Sequence, residues 1–305
     1  MKIIVTGGAG FIGSHLVDRL MKEGHEVAVI DNLSSGRKEF IEHHMKSKKF
    51  KFIEADLLEK IEKHFKSADE VWHLAANPEV RIMDPDVHVK QNILATKNVL
   101  EAMRKNGVKR MFFTSSSAVY GEAIKSGRTE PTGEDHATNP ISFYGAAKLA
   151  SESLIRAYCS CFEMQSWIFR FANIIGPRST HGVISDFIKK LKKNPRTLEI
   201  LGNGRQKKSY AYISDCIEAM ISARKSAEQI NTLNIGSEDW IEVREIAKLV
   251  SESMGLKPEF KFTGGDRGWE GDVPLMILSI GKIKSLGWNP KFSSEESIRE
   301  TLRQL

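Results

Sequence analysis

One short segment constrains this chain more than any other. The apolar run Lys2-Ile3-Ile4-Val5-Thr6 passes directly into Gly7-Gly8-Ala9-Gly10-Phe11-Ile12-Gly13 and then into an amphipathic stretch ending near Lys22. Gly8, Gly10 and Gly13 fit G-x-G-x-x-G, Gly7 adds an overlapping spacing, and the strand-to-helix context makes a common pattern specific. Small residues let backbone approach a pyrophosphate, whose charge the free N–H groups and positive helix end offset without a lysine. The G-K-[ST] ending of a P-loop is absent. Asp31 closes the second apolar run, where a carboxylate can accept both hydroxyls of an adenosine ribose and repel a 2′-phosphate. NAD is therefore expected over NADP, with Arg37 the one feature that would soften the exclusion.

The pattern continues. Runs at Lys2 to Thr6, Glu26 to Ile30, Phe50 to Glu54, Glu70 to Leu74, Lys109 to Ser115 and Ser166 to Phe171 read as strands, and Phe11 to Lys22, Val87 to Lys105 and Tyr144 to Cys161 as helices. This predicts an α/β fold, a Rossmann-like doubly wound parallel sheet covered on both faces, with a smaller interleaved C-terminal substrate lobe. The expected division is an NAD-binding part over 1–172 with returning segments at about 205–236, and a lobe over 173–204 and 237–305. The returning pieces are a helix near Tyr210 to Arg224 and a strand near Asn231 to Gly236.

The 45 Lys plus Arg against 39 Asp plus Glu give +6 in 305 residues, an ordinary globular balance that excludes disorder and repeats. The basic clusters Lys46 to Lys49 and Lys189 to Lys193 read as solvated faces, so no nucleic-acid partner is expected. Cys159, Cys161 and Cys216 form no zinc or redox spacing; no metal is expected, and a reducing compartment is. The N-terminal apolar run is too short for a secretory leader and no segment reaches membrane-spanning length, so a cytoplasmic protein is expected.

Tyr144-Gly145-Ala146-Ala147-Lys148 puts Tyr and Lys on one helical face. A phenol of pKa about 10 is a poor base at neutral pH, and a nearby ammonium stabilises its phenolate. Thr114-Ser115-Ser116-Ser117 ends the fifth strand, at the carboxyl edge where open parallel sheets bind ligands.

On these motifs, with Asp56-Leu57, His73 to Ala76, Asn92, Ser115 to Gly121 and Arg170 to Asn173, the chain resembles the extended short-chain dehydrogenase/reductase family, and within it the UDP-galactose (UDP-glucose) 4-epimerases, along essentially its whole length. The resemblance implies a retained NAD held by Gly7, Gly10, Phe11, Ile12, Gly13, Asp31, Asn32, Ser35, Gly36, Asp56, Leu57, Leu74, Ala75, Ala76, Asn92, Ser115, Tyr144, Lys148 and Phe171. It also implies a catalytic trio of Tyr144, Lys148 and Ser116, acting on C4 of a UDP-hexose through a transient 4-keto sugar. Related dehydratases and decarboxylases carry a carboxylate beside that serine, where this chain has Ser117 and Ala118.

The substrate set implied is Ser116, Ser117, Tyr144, Asn173, Val183, Lys208, Tyr210, Arg267, Asp272 and Met276. Lys208 and Ser209 stand where the family has Arg and Asp, and Lys lacks the planar two-pronged donor set. Met276 stands where a large Tyr excludes N-acetylated sugars, so acceptance of the acetylated pair is expected. A homodimer through the outer faces of Val87 to Lys105 and Tyr144 to Cys161 is implied as well. The rivals are another nucleotide-sugar-modifying member of the family, such as a dehydratase or reductase, and a non-catalytic NAD-sensing or RNA-binding relative.

Overall fold

The computed structural model describes residues 1–123 and 130–305. Seven parallel strands form the central sheet: β1 (Lys2–Thr6), β2 (Glu26–Asp31), β3 (Phe50–Glu54), β4 (Glu70–His73), β5 (Arg110–Ser116), β6 (Gln165–Phe171) and β7 (Ile230–Ile235). Their order is β7-β6-β5-β4-β1-β2-β3, so the chain reverses direction beside β1 and opens a crevice at the carboxyl edge.

Strand alternation decides the two cores. Ile3, Val5, Val27, Val29, Phe112, Trp167 and Phe169 face one side, where α1 (Phe11–Lys22) and the late helix Ile213–Ala223 cover them. Ile4, Ala28, Ile30, Met111, Phe113 and Ile168 face the other, under α2 (Ala95–Lys105) and α3 (Phe143–Phe162). On the first face Trp72, Phe112 and Trp167 stack across three strands with centroids 3.9 and 4.3 Å apart, stacked aromatics that fix inter-strand register.

Most element ends match expectation to within a single residue. Larger differences have local causes. The stretch expected as one helix from Val87 begins as Pro85–His88, widens into a π turn over Val89–Leu94 and resumes as α2. Inside that turn Asn92 sends its side chain away to Asn77, accepting from Asn77 N at 2.7 Å. The expected helix from Tyr210 is a strand, Tyr210–Tyr212, followed by Ile213–Ala223, because Tyr210 to Tyr212 pair in parallel with Asn173 to Ile175.

After β6, a separate apolar cluster forms around Phe187, Leu198, Ile200, Ile246 and Val250. Here Lys207–Lys208 lies between Ile241–Glu242 and Leu275–Met276, with Met276 in register with Lys208. All three cysteines are free thiols, two of them buried.

Candidate active site

The turn after β1 is shaped by two close approaches. Gly7 has φ +70°, and a Cβ there would lie 2.6 Å from Ala75 N; a Cβ on Gly13 would lie 2.1 Å from Gly7 O. The loop can therefore press onto α1 only without side chains. α1 starts at Gly10 with no side-chain cap and no acid in its first turn, leaving its first N–H groups for a phosphate, next to Phe11 and Ile12. A tight glycine turn that delivers an uncapped helix N-terminus with no acid in its first turn fits the dinucleotide expected there.

Asp31 accepts from Ala9 N (3.0 Å) and Leu33 N (2.9 Å) and is nearly buried, which raises its pKa despite both bonds. Gly36, following Ser35, passes so close to that carboxylate that a Cβ would lie 2.9 Å from Asp31 Oδ1. Asn32 donates to Asp56 (2.9 Å), joining the ends of β2 and β3, and Leu57 is buried next to it. Arg37 lies over the Phe40 ring, 6.0 Å from its centroid. Leu74, Ala75 and Ala76 follow β4, with Leu74 N bonded to Thr6 O at 3.0 Å. The turn after β1, the end of β2 and the end of β4 thus converge on one crevice.

The reacting groups lie across it. Ser142 caps α3 by accepting from Gly145 N (3.1 Å). A Cβ on Gly145 would lie 2.5 Å from Ala118 O, so this glycine lets α3 begin against the turn Ser117–Tyr120 and brings Tyr144 to Ser116. Burial pushes the Tyr144 phenol up to about 12, and its hydrogen bond with Ser116 works against that rise. Lys148 Nζ is 5.8 Å from the Tyr144 ring centroid and donates to Thr114 O at 2.7 Å. Burial lowers its pKa to about 7, with Glu152 opposing.

Residues 3–236 match the family model described as the NAD dependent epimerase/dehydratase family. The chain belongs to that family. A solved UDP-galactose 4-epimerase superimposes with a TM-score of 0.88 at 43% identity, over 99% of this chain and 97% of that one. A UDP-glucose 4-epimerase from Thermus thermophilus, in complex with NAD, gives 0.88 at 34%, over 99% and 98%. An Arabidopsis thaliana relative, UDP-glucuronic acid decarboxylase 2, is 33% identical over 98% of this chain and 66% of its own length. The chain is thus an NAD-dependent enzyme of the isomerase type named for UDP-glucose 4-epimerases, with sugar-nucleotide decarboxylases as near relatives.

A second group of residues in this family member comes from the C-terminal part. Asn173 donates to Ser209 O (3.0 Å). Lys208 Nζ bonds Asp272 Oδ1 at 2.6 Å and also Val273 O; burial lowers its pKa and Asp272 opposes. Tyr210 is buried close to Asp272, and both effects raise its phenol. Met276 turns inward against Val119, Tyr120 and Ala172. Val183 begins the helix Val183–Lys193 and packs on the neighbouring cluster. Arg267 does not join Lys208; it is exposed and paired with Glu122 at 2.5 Å.

Several residues beneath the site carry no motif that sequence reading exploits. Glu152 receives Arg170 through two bonds (2.7 and 3.0 Å) and Ser115 Oγ (2.6 Å). The Ser115 hydroxyl is therefore committed inward. Arg170 also donates to Tyr120 OH at 3.0 Å, and Phe171 stacks on Phe169. Ser209 joins a buried hydrogen-bonded chain through Ser237 and Ser294 to Asp239. A separate cavity of about 520 Å³, lined by Lys2, Lys49, Lys51, Lys63 and Lys66, opens at the amino edge of β1 to β3 and contains none of these groups.

Proposed function

We propose that this enzyme inverts C4 of a UDP-hexose, interconverting UDP-galactose and UDP-glucose and accepting the N-acetylated pair. The observation that carries the reading is the meeting of Tyr144, Lys148 and Ser116 at the carboxyl edge with Ser117 and Ala118, and no carboxylate, beside the serine. Reversible oxidation needs one proton acceptor and one hydride acceptor; elimination and decarboxylation need further acid–base groups.

NAD, when bound, supplies reversible hydride acceptance. Tyr144 takes the 4-hydroxyl proton, Ser116 orients that oxygen, and the Lys148 ammonium both holds a ribose and stabilises the phenolate. Burial raises the phenol to about 12 and lowers the amine from its ordinary value, so in the protein alone Tyr144 is protonated at neutral pH. Positive charge entering beside Tyr144 lowers its pKa, which ties base strength to cofactor loading. In this reading Asn173, Lys208, Tyr210 and Asp272 hold the UDP part, the Lys208–Asp272 pair sharing its charges between phosphate and ribose, and Arg267 reaches it only by leaving Glu122. Acceptance of an acetamido group rests on Met276, a narrower and more flexible side chain than Tyr, buried in the cluster with Val119 and Tyr120.

The reading divides the chain as expected from sequence, with 1–172 and the returning segments at about 205–236 holding NAD, and 173–204 with 237–305 holding substrate. It includes a homodimer, supported by exposed Val89, Leu94 and Phe162 on the outer helices, and a cytoplasmic location, supported by three free thiols. No helix among the described residues is long and apolar enough to cross a membrane.

Proton NMR of the purified protein with UDP-galactose and UDP-N-acetylgalactosamine together tests this directly. Both gluco epimers should appear in the anomeric region. No epimer after NAD is supplied refutes the reading, and net consumption of NAD(H) or a changed sugar skeleton favours another chemistry of the family.

A further inference from the structure

Among the described residues, one group of histidine and carboxylate side chains is tight enough to share an ion: Asp18 on α1 with His43 and His44, whose ligand atoms all lie within 4.8 Å of one another. Both imidazoles aim Nε2 at the same carboxylate oxygen, His43 from 2.8 Å and His44 from 2.7 Å of Asp18 Oδ1. Their rings are tilted by 44° with centroids 4.0 Å apart. Successive residues of a 3₁₀ turn such as Glu42–His44 project about 120° apart, so the convergence is not what the local backbone gives by itself. The sequence offers no hint of it, because Asp18 and His43 are 25 residues apart and fit no zinc spacing.

The donor set suits a borderline divalent cation. Two imidazole nitrogens and one carboxylate oxygen are the ligands of open zinc sites, which complete four-fold coordination with water. Ligand atoms around tetrahedral zinc stand about 3.4 Å apart, so withdrawing Asp18 by about 0.6 Å leaves room for an ion where both Nε2 atoms already aim. Arg178 pairs with the other oxygen, Oδ2, at 2.9 Å. This leaves Oδ1 to the histidines and fixes the carboxylate from behind, as outer partners of metal ligands do. Burial opposes ionisation of Asp18, but His44, Arg178 and His43 together hold its carboxyl below the ordinary value, so it is a charged ligand at neutral pH. The guanidinium charge repels a cation, which keeps the site weaker than a closed structural zinc site.

We propose that Asp18, His43 and His44 bind one divalent transition-metal ion of the zinc class, clipping α1 to the segment that follows Gly36. None of the three residues is assigned to NAD or substrate, and the proposal is independent of the reaction assigned above.

The probe is Zn²⁺ itself, titrated by calorimetry into untagged protein stripped with a chelator. Wild type should take up one Zn²⁺ per chain with a micromolar Kd, and excess Mg²⁺, which prefers oxygen ligands, should not displace it. Removing a group behind a metal ligand costs about 10–100-fold in affinity. His43→Ala and His44→Ala, each removing a ligand itself, should therefore each weaken binding by at least about ten-fold, while His64→Ala, outside the cluster, leaves it unchanged. Circular dichroism and Tm report folding, and the His43 side chain is 52% exposed, so that variant should fold as wild type does. No saturable Zn²⁺ uptake by wild type overturns the proposal, as does a Kd within about two-fold of wild type in either folded variant of His43 or His44. Zn²⁺ binding without epimerisation of UDP-glucose leaves the metal site standing while the proposed reaction fails, and epimerisation without Zn²⁺ binding does the reverse.

Discussion

Glu152→Gln is the substitution that best separates support of the site from its chemistry. The carboxylate accepts two bonds from Arg170 and one from Ser115, and its charge is what holds the Lys148 pKa up against burial. Gln is nearly isosteric and keeps one acceptor, so the charge is what is removed. Breaking a buried ion pair from one side costs about 3–5 kcal/mol; Arg170 retains Tyr120 OH (3.0 Å) and the Glu134 carbonyl (3.2 Å), which brings the expectation to about 2–4 kcal/mol. Trp72 and Trp167 are fully buried, so urea unfolding followed by their fluorescence measures this. Lys148 adds a pH signature. Its folded pKa of about 7 is below the ordinary 10.5, so the unfolded chain binds more protons between those values and stability rises with pH across that window. Removing Glu152 lowers the folded pKa further and extends the window downward. If activity requires the ammonium, its alkaline limb must shift to lower pH in the variant. A loss under about 1 kcal/mol together with an unshifted limb refutes the argument that Glu152 carries Lys148.

Tyr144→Phe should lower epimerisation by roughly 10²–10⁴-fold while leaving NAD binding within a few-fold, read by NMR rates and cofactor titration. Gly13→Ala must displace the Gly7 carbonyl, 2.1 Å from the new carbon; NAD affinity should fall more than about ten-fold and stability by about 1–3 kcal/mol. Asp31→Asn removes the negative charge at the end of β2, and the preference for NAD over NADP should narrow by about ten-fold; an unchanged ratio would move the discrimination elsewhere. Met276→Tyr should suppress turnover of UDP-N-acetylgalactosamine while sparing UDP-galactose, measured in one mixed NMR experiment.

The sheet was readable because its strands obey one rule: two faces, each buried, so Ile3 and Val5 must oppose Ile4, and Trp167 and Phe169 must oppose Ile168. The crevice was readable because Gly7, Gly13, Asp31 and the Tyr144–Lys148 spacing are local patterns with local consequences. What stayed hidden depends on partners distant in sequence. Within the π turn the Asn92 side chain is engaged by Asn77, fifteen residues away. Glu152 reads as any exposed helical acid until Arg170 and Ser115 meet it beneath the sheet edge. Likewise nothing in the sequence joins Ser209 to Asp239, and only the fold brings them to the same buried chain.

The two halves of the crevice are also joined by an uncharged relay. Thr96 Oγ1 donates to Asn92 O (2.7 Å), so it accepts from His73 Nε2 (3.0 Å), and His73 Nδ1 in turn accepts from Thr6 Oγ1 (2.7 Å). Burial and the Lys148 charge hold His73 down at about 3, so this buried ring stays neutral. The relay thereby ties the end of β1, which feeds the phosphate turn, to the π turn that packs against α3, without placing a second positive charge beside Lys148. A protonated His73 would oppose both the ammonium and an oxidised nicotinamide. Rigidity at this junction therefore comes from neutral hydrogen bonds. Among the described residues, the buried cations close to Tyr144 are Lys148 and, beneath it, Arg170 neutralised by Glu152. The arrangement leaves the charge that tunes the phenol to the groups that act in the reaction.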